Sequence, residues 1–218
     1  VYFLGYFIKD IKHIKRMDGM TLFLKMASEL NKKIIIILLL PIVSFSQSIE
    51  YEKTKSIDLI NPEKNIGLKN WYIVNDDVMG GVSKSYLSLS DENNLVFKGY
   101  LSLENNGGFA SSRTSFPKKT LTGVKSLKIK LKGDGNTYKL RLTQNNRRAS
   151  YSSDFKSLKD KWVEISIKIE DFKPYWRGYS YSRYPALDID QINSLGIHIS
   201  DKQEGQFKLE IKYIKAVY

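Results

Sequence analysis

The sequence predicts an all-β chain folded as an antiparallel sandwich or jelly roll. Three observations carry that expectation. From Trp71 onward, apolar residues recur with a period of two rather than 3.6. Clusters of Gly, Asn and Asp break these alternating runs at short intervals. No stretch has the spacing of a long amphipathic helix, and at most a short helical turn falls between Asp188 and Ser194.

In chain order, the first 46 residues stand apart from the domain. Lys32-Lys33 precede an apolar run from Ile34 to Val43, followed by Ser44-Phe45-Ser46-Gln47. A basic flank, an apolar core of about ten residues and small residues at the -3 and -1 positions are the layout of a secretory signal peptide. Cleavage is expected between Ser46 and Gln47, with residues 26–46 as the signal peptide and residues 1–25 as an upstream extension before Met26. The run is shorter than the roughly 20 residues of a spanning helix, so no stable membrane span is expected in the mature chain. The expected location is periplasmic or extracellular.

Residues 47–56 read as a lead-in segment and 57–218 as one sandwich domain. Within it, Leu127, Ile129 and Leu131 alternate with lysines, and Leu140 and Leu142 alternate with Lys139 and Arg141. Val163, Ile165, Ile167 and Ile169 form a third such run, and Phe207, Leu209, Ile211 and Tyr213 a fourth. Each is a half-buried strand with one face in the core and one in water. Gly80-Gly81, Asn93-Asn94, Asn105 to Gly108, Gly133 to Asn136 and Asn145-Asn146 supply the turns.

The 218 residues contain no cysteine, which excludes disulfides, thiolate metal sites and thiol nucleophiles. Lys and Arg exceed Asp and Glu by 35 to 23, a net charge of +12. The first 46 residues account for seven of the basic and three of the acidic residues, leaving +8 on the mature chain. Most of its lysines occupy outward strand positions, and no nucleic-acid motif is present, so no nucleic-acid partner is expected. His198, the sole histidine after residue 46, alternates with Leu195, Ile197 and Ile199 and is expected on a strand surface. No metal or other cofactor is expected.

Four constellations could carry function. In Asn75-Asp76-Asp77-Val78-Met79-Gly80-Gly81-Val82-Ser83, paired carboxylates flank a Gly-Gly turn. They suit either acid–base work and cation binding or hydrogen bonding to the turn's own amides. In Gly107-Gly108-Phe109-Ala110-Ser111-Ser112-Arg113, Phe109 is expected in the core. Arg113 offers a planar fork whose expected partner is Asp76 or Asp77. Asp134 sits in a Gly-Asp-Gly turn that reads first as a hairpin. From Phe172 to Tyr184, six aromatic residues, Tyr175 and Trp176 among them, are interleaved with Lys173, Arg177 and Arg183. Such a loop serves as a protein-binding hot spot, a sugar-stacking platform or a cover for a sandwich edge.

The ordered set of segments resembles a known family. Trp71, Asn75 to Gly81 with Ser83, Phe97-Lys98-Gly99, Gly107 to Ser111 with Arg113, Gly133-Asp134-Gly135 with Tyr138, Trp162, Asp171-Phe172 with Pro174, Arg177-Gly178 and Leu195-Gly196 occur in its order. The chain is thereby similar to the NADH:ubiquinone oxidoreductase complex I intermediate-associated protein 30 family. The resemblance implies a galactose-binding-like jelly roll related to carbohydrate-binding modules. In mitochondria it implies a non-enzymatic assembly factor for the respiratory complex. By position it carries over Asp76, Asp77, Gly80, Gly81, Gly108, Arg113, Gly133, Asp134, Arg177 and Gly178.

The expected function is a non-catalytic binding module that engages a protein partner in the cell envelope, with a respiratory membrane complex as one candidate. A carbohydrate-binding module is the alternative. The expected binding residues are Asn75, Asp76, Asp77, Gly80, Gly81, Arg113, Asp134, Tyr175, Trp176 and Arg177.

Overall fold

A computed structural model of the protein describes Ser28, residues 55–144 and residues 147–218. The upstream extension, the signal peptide and residues 47–54 of the lead-in lie outside the described residues, apart from Ser28. Thirteen strands follow in order: β1 (Ser56–Ile60), β2 (Tyr72–Asn75), β3 (Lys84–Leu89), β4 (Leu95–Leu101), β5 (Ala110–Ser115), β6 (Ser126–Lys132), β7 (Thr137–Thr143), β8 (Ser150–Lys156), β9 (Trp162–Lys168), β10 (Lys173–Trp176), β11 (Tyr179–Ser180), β12 (Ser194–Ile199) and β13 (Gly205–Val217). Among the described residues the helical elements between them are short 3-10 turns, including Ile189–Gln191, where one was expected.

The strands form two antiparallel sheets, as the period-two reading predicts. A six-stranded sheet runs β3-β4-β13-β6-β9, with β1 also paired to β13. A seven-stranded sheet runs β11-β10-β8-β7-β12-β5-β2. The chain changes sheet repeatedly, so neighbours such as β5, β12 and β7 come from distant parts of the sequence. This is the jelly-roll sandwich.

Leu127, Ile129 and Leu131 of β6 pack with Tyr138, Leu140 and Leu142 of β7 and Leu195, Ile197 and Ile199 of β12 in one apolar core. Phe97 and Phe207 add a tilted ring pair at 5.1 Å. Each fully buried aliphatic or aromatic side chain contributes about 1.5–3 kcal/mol relative to exposure.

One alternation fails. The pairing of β13 with β6 shifts register between Ile211 and Tyr213, leaving Lys212 as an extra residue. Such a bulge reverses the facing of every residue beyond it. Ile214 and Ala216 therefore take the core side. Tyr213, expected beside Phe207, Leu209 and Ile211 in the core, instead turns outward and donates its hydroxyl to Glu164.

Candidate functional site

Two of the expected binding turns are hydrogen-bonded hubs. Asn75 ends β2, and its Oδ1 accepts from the Ser85 hydroxyl at 2.6 Å. Asp76 to Met79 then make one 3-10 turn, closed by Gly80 at φ 91°. The fully buried Asp76 carboxylate accepts from the Ser83 amide at 2.9 Å and the Ser83 hydroxyl at 2.5 Å. The Gly108 and Phe109 amides donate to it at 2.6 and 3.3 Å. Burial alone would raise this carboxyl, but the bonds from Ser83 and from the Gly108 and Phe109 amides outweigh it and hold it below the usual carboxylate range. Asp77 is exposed, and among the described residues its carboxylate accepts only from the neighbouring Val78 amide, at 3.1 Å.

The glycines make room for that carboxylate. A Cβ on Gly81 would lie 2.4 Å from the Asp76 carboxyl carbon, and one on Gly107 would lie 2.6 Å from its Oδ2. Both oxygens are thus enclosed by the protein's own donors.

Asp134 is a second hub. It accepts from the Asn136 amide at 2.9 Å, the Tyr138 hydroxyl at 2.9 Å and the Lys208 amide at 2.8 Å, tying the β6–β7 turn to β13.

The expected pairing of Arg113 with Asp76 or Asp77 does not occur. Asp76 lies beside Phe109 at the start of β5, whereas Arg113 lies further along that strand, opposite Tyr72 and Gly196. It projects from the outer side of the seven-stranded sheet. Directly paired residues of an antiparallel sheet share a face, so the register fixes what surrounds it. One row is Tyr72, Arg113, Gly196, Arg141 and Ser152. The next is Val74, Ser111, His198, Lys139 and Asp154.

The middle of that outer face is shielded from water, although Tyr72 and Asp154 at its margins are exposed. His198, expected on the surface, is 4% exposed, and Lys139 is 5% exposed. Phe109, expected in the core, instead stacks on the His198 ring with centroids 5.5 Å apart. Lys139 bonds to Asp154 at 2.9 Å and Asp201 at 2.7 Å. Arg141 donates from Nε at 2.9 Å and Nη2 at 2.5 Å to the Ser150 hydroxyl. Its Nη1 lies 3.3 Å from His198 Nδ1. Burial, then repulsion from Arg113, pulls Arg141 down to about 10. Burial, then Arg141, Arg113 and Lys139, hold His198 well below the ordinary imidazole range, so the ring is neutral.

A cavity of about 250 Å³ opens here, lined by Ser111, Arg113, Arg141, Arg148, Ser150 and Trp176 together with Thr143 and Gly196. Among the described residues, no carboxylate lies within ion-pair distance of Arg113, Arg141 or Arg148. Gly196 forms the floor, where a Cβ would meet the Arg113 side chain at 3.1 Å. A larger cavity, about 660 Å³, lies under residues 180–187, and its only charged lining groups are Glu170 and Lys173. We place the candidate site at the smaller cavity, because it gathers three guanidiniums that have no carboxylate partner among the described residues.

The aromatic loop is a hairpin rather than a loose cover. Strands β10 and β11 pair at Tyr175–Ser180 and Trp176–Tyr179, and Arg177 and Gly178 form the turn at φ 48° and 86°. Positive φ at both central residues is the hairpin geometry that matches strand twist. Tyr175 lies beneath the Lys139 and Arg141 cations at 5.3 and 5.6 Å. The Arg177 guanidinium sits 4.9 Å from the Trp176 ring centre. Trp176 walls the cavity, and the Tyr179 and Tyr181 rings stay exposed.

Of the ten expected residues, Arg113 and Trp176 therefore line the cavity, Tyr175 lies beneath its Arg141, and Arg177 lies behind Trp176. Asn75, Asp76 and Gly81 serve the first hub, Asp77 and Gly80 are its exposed tip, and Asp134 is apart. Sequence reasoning missed Arg141, Arg148, Ser150, Gly196 and His198. The signals for them were Arg141 beside Lys139 on the outward positions of β7 and Gly196 in the Leu195-Gly196 motif.

These features define a jelly-roll β-sandwich. The chain belongs to the Complex I intermediate-associated protein 30 family, whose profile matches residues 58–211. No curated protein matches it by sequence. Among solved structures it is similar to the family 11 carbohydrate-binding module of the cellulosomal cellulase Lic26A-Cel5E of Clostridium thermocellum. That likeness has TM-score 0.60 and 15% identity over 75% of this chain and 95% of that one. The Clostridium thermocellum family 11 module in complex with a β-1,3-1,4-mixed-linked tetrasaccharide gives TM-score 0.56 and 16% identity over 74% and 95%. An agarase, AgWH50C, gives TM-score 0.53 and 9% identity over 75% of this chain and 24% of that one.

Proposed function

We propose that the domain is a non-catalytic binding module whose recognition face is the outer side of the seven-stranded sheet, and that it takes a saccharide chain. The observation that carries this reading is the Trp176–Tyr179–Tyr181 hairpin standing beside the donor-lined cavity. Aromatic faces stack on the C–H face of a sugar ring, while converging polar groups fix its orientation. The tetrasaccharide held by the Clostridium thermocellum module of similar fold supports the same ligand class. The engaged state of both hub carboxylates supports a role without catalysis. The basic, apolar and small-residue pattern of residues 26–46 supports action outside the cytoplasmic membrane.

Affinity gel electrophoresis against a panel of neutral and acidic polysaccharides tests this. Retardation of the wild type, lost in Trp176→Ala at unchanged Tm, is the expected result. No retardation in any gel removes the saccharide reading.

A protein partner is the second reading, and a specific feature favours it. Val78 and Met79, at the tip of the Asp76 turn, are 67% and 60% exposed. An apolar tip of this kind is what a partner surface covers, and the family is described by its association with complex I intermediates. Envelope pull-downs with Val78→Ser/Met79→Ser test it: an unchanged set of captured proteins would exclude that tip as the contact.

A further inference from the structure

The cavity between Arg113, Arg141 and Arg148 is cationic without a counter-charge among the described residues. Guanidiniums set into a protein surface are ordinarily paired, because an unmatched charge removed from water is costly. Arg141 is held rigidly. Its Nε and one Nη2 proton go to Ser150, and one Nη1 proton goes to the neutral His198 Nδ1. Of its five N–H donors, one on each terminal nitrogen remains, which is the spacing a two-oxygen acceptor requires. Ser150 in turn donates to the Tyr175 carbonyl at 3.2 Å, so the arginine, the serine and the hairpin form one unit.

Between Arg141 and Arg113, Gly196 of β12 carries no side chain, and the Arg113 stem lies over it toward Arg141. The volume, about 250 Å³, is below the roughly 300–1,000 Å³ of pockets that enclose a whole drug-sized ligand. It suits one ring or one charged group of a longer chain.

We infer that this cavity is a subsite for an anionic oxygen group, a carboxylate or a sulfate ester, carried on a saccharide. Arg113 and Arg141 are the facing donors, Arg148 is the outer clamp and Trp176 is the wall. The inference rests on the saccharide reading above and narrows it to acidic glycans. His198 is a positioning residue: as a neutral acceptor it aims Arg141 and adds no charge of its own. A site built this way favours the anion over the neutral analogue, because Arg141, the most deeply set of the three guanidiniums, then keeps its two remaining donors without an acceptor.

The test is calorimetric titration of the full chain with four probes of similar length: tetragalacturonate, a carrageenan tetrasaccharide, a neutral mixed-linkage glucan tetrasaccharide and single-stranded dT4. Arg113→Gln/Arg148→Gln is compared with Lys98→Gln/Lys208→Gln, which removes the same charge from the exposed lysines of β4 and β13. Thermal melts confirm that both variants fold.

The expected result is binding of an acidic tetrasaccharide, weakened roughly tenfold or more by the arginine pair and less than about twofold by the lysine pair. The uronate and sulfate arms identify which group is read. Equal weakening by both pairs assigns the binding to net charge and overturns the subsite. Equal or tighter binding of the neutral tetrasaccharide overturns the subsite while upholding the saccharide reading. Tighter binding of dT4 overturns it in favour of a nucleic acid. Binding of none of the four removes both the subsite and the saccharide reading.

Discussion

Asp76 and Ser83, seven residues apart, are joined twice: the Ser83 amide donates to one carboxylate oxygen at 2.9 Å and its hydroxyl to the other at 2.5 Å. With the Gly108 and Phe109 amides on the same group, three chain segments depend on one buried carboxylate.

Asp76→Ala leaves those donors unmatched and is expected to cost about 3 kcal/mol or more. Gly81→Ala, which puts a methyl 2.4 Å from the Asp76 carboxyl carbon, is expected to cost about 1–3 kcal/mol. Urea denaturation measures both. A loss below about 0.5 kcal/mol in either would contradict the hub.

Asp76 and Arg113 belong to different networks, so their effects are expected to be independent. In a double-mutant cycle of Asp76→Ala and Arg113→Ala, the losses should add within about 0.5 kcal/mol. A coupling above about 1 kcal/mol would show that the two groups share an interaction after all.

Acid stability should fall in two windows. The native His198 holds its proton less readily than an ordinary imidazole of pKa 6.5. The unfolded chain therefore binds more protons as pH falls below about 6.5, and stability drops with it. Asp76 is depressed from 3.8, so its contribution is present above that value and is lost as pH falls below it. In melts from pH 7 to 5, His198→Gln should flatten the upper window only; an unaltered slope would be incompatible with a buried neutral ring.

Gly178 sits at φ 86° with open space around it. Gly178→Ala therefore strains the turn without a clash and is expected to cost about 1 kcal/mol. Its effect should be local, with faster amide exchange at Trp176 and Tyr179 and little change in the core. Uniform acceleration throughout the domain would contradict a separately stable hairpin.

The sandwich was legible because each strand announces itself locally. Leu127, Ile129 and Leu131 face the core as their alternation requires. The candidate site was not legible, because it is made by pairing between distant strands. The sequence gives no sign that Arg113, Gly196 and Arg141 lie in one row, since β5, β12 and β7 are brought together only by the sheet order. The same periodicity puts His198 on the face opposite Ile197, as expected, but does not reveal that Phe109 stacks over it and buries it. Tyr213 was misread for a different reason: a single extra residue, Lys212, breaks the period where no glycine or proline marks it.

The strands that open and close the domain, β1 and β13, run antiparallel with Ser56 opposite Val217, and the Tyr218 amide donates to the Lys55 carbonyl at 2.9 Å. Both ends therefore leave from the same end of one ladder. Tension applied through them acts along the inter-strand hydrogen bonds, which lie across the strands, and loads them one at a time. The domain is mechanically a zipper, which yields first at β1 while the seven-stranded sheet bearing the arginine cavity carries none of the load.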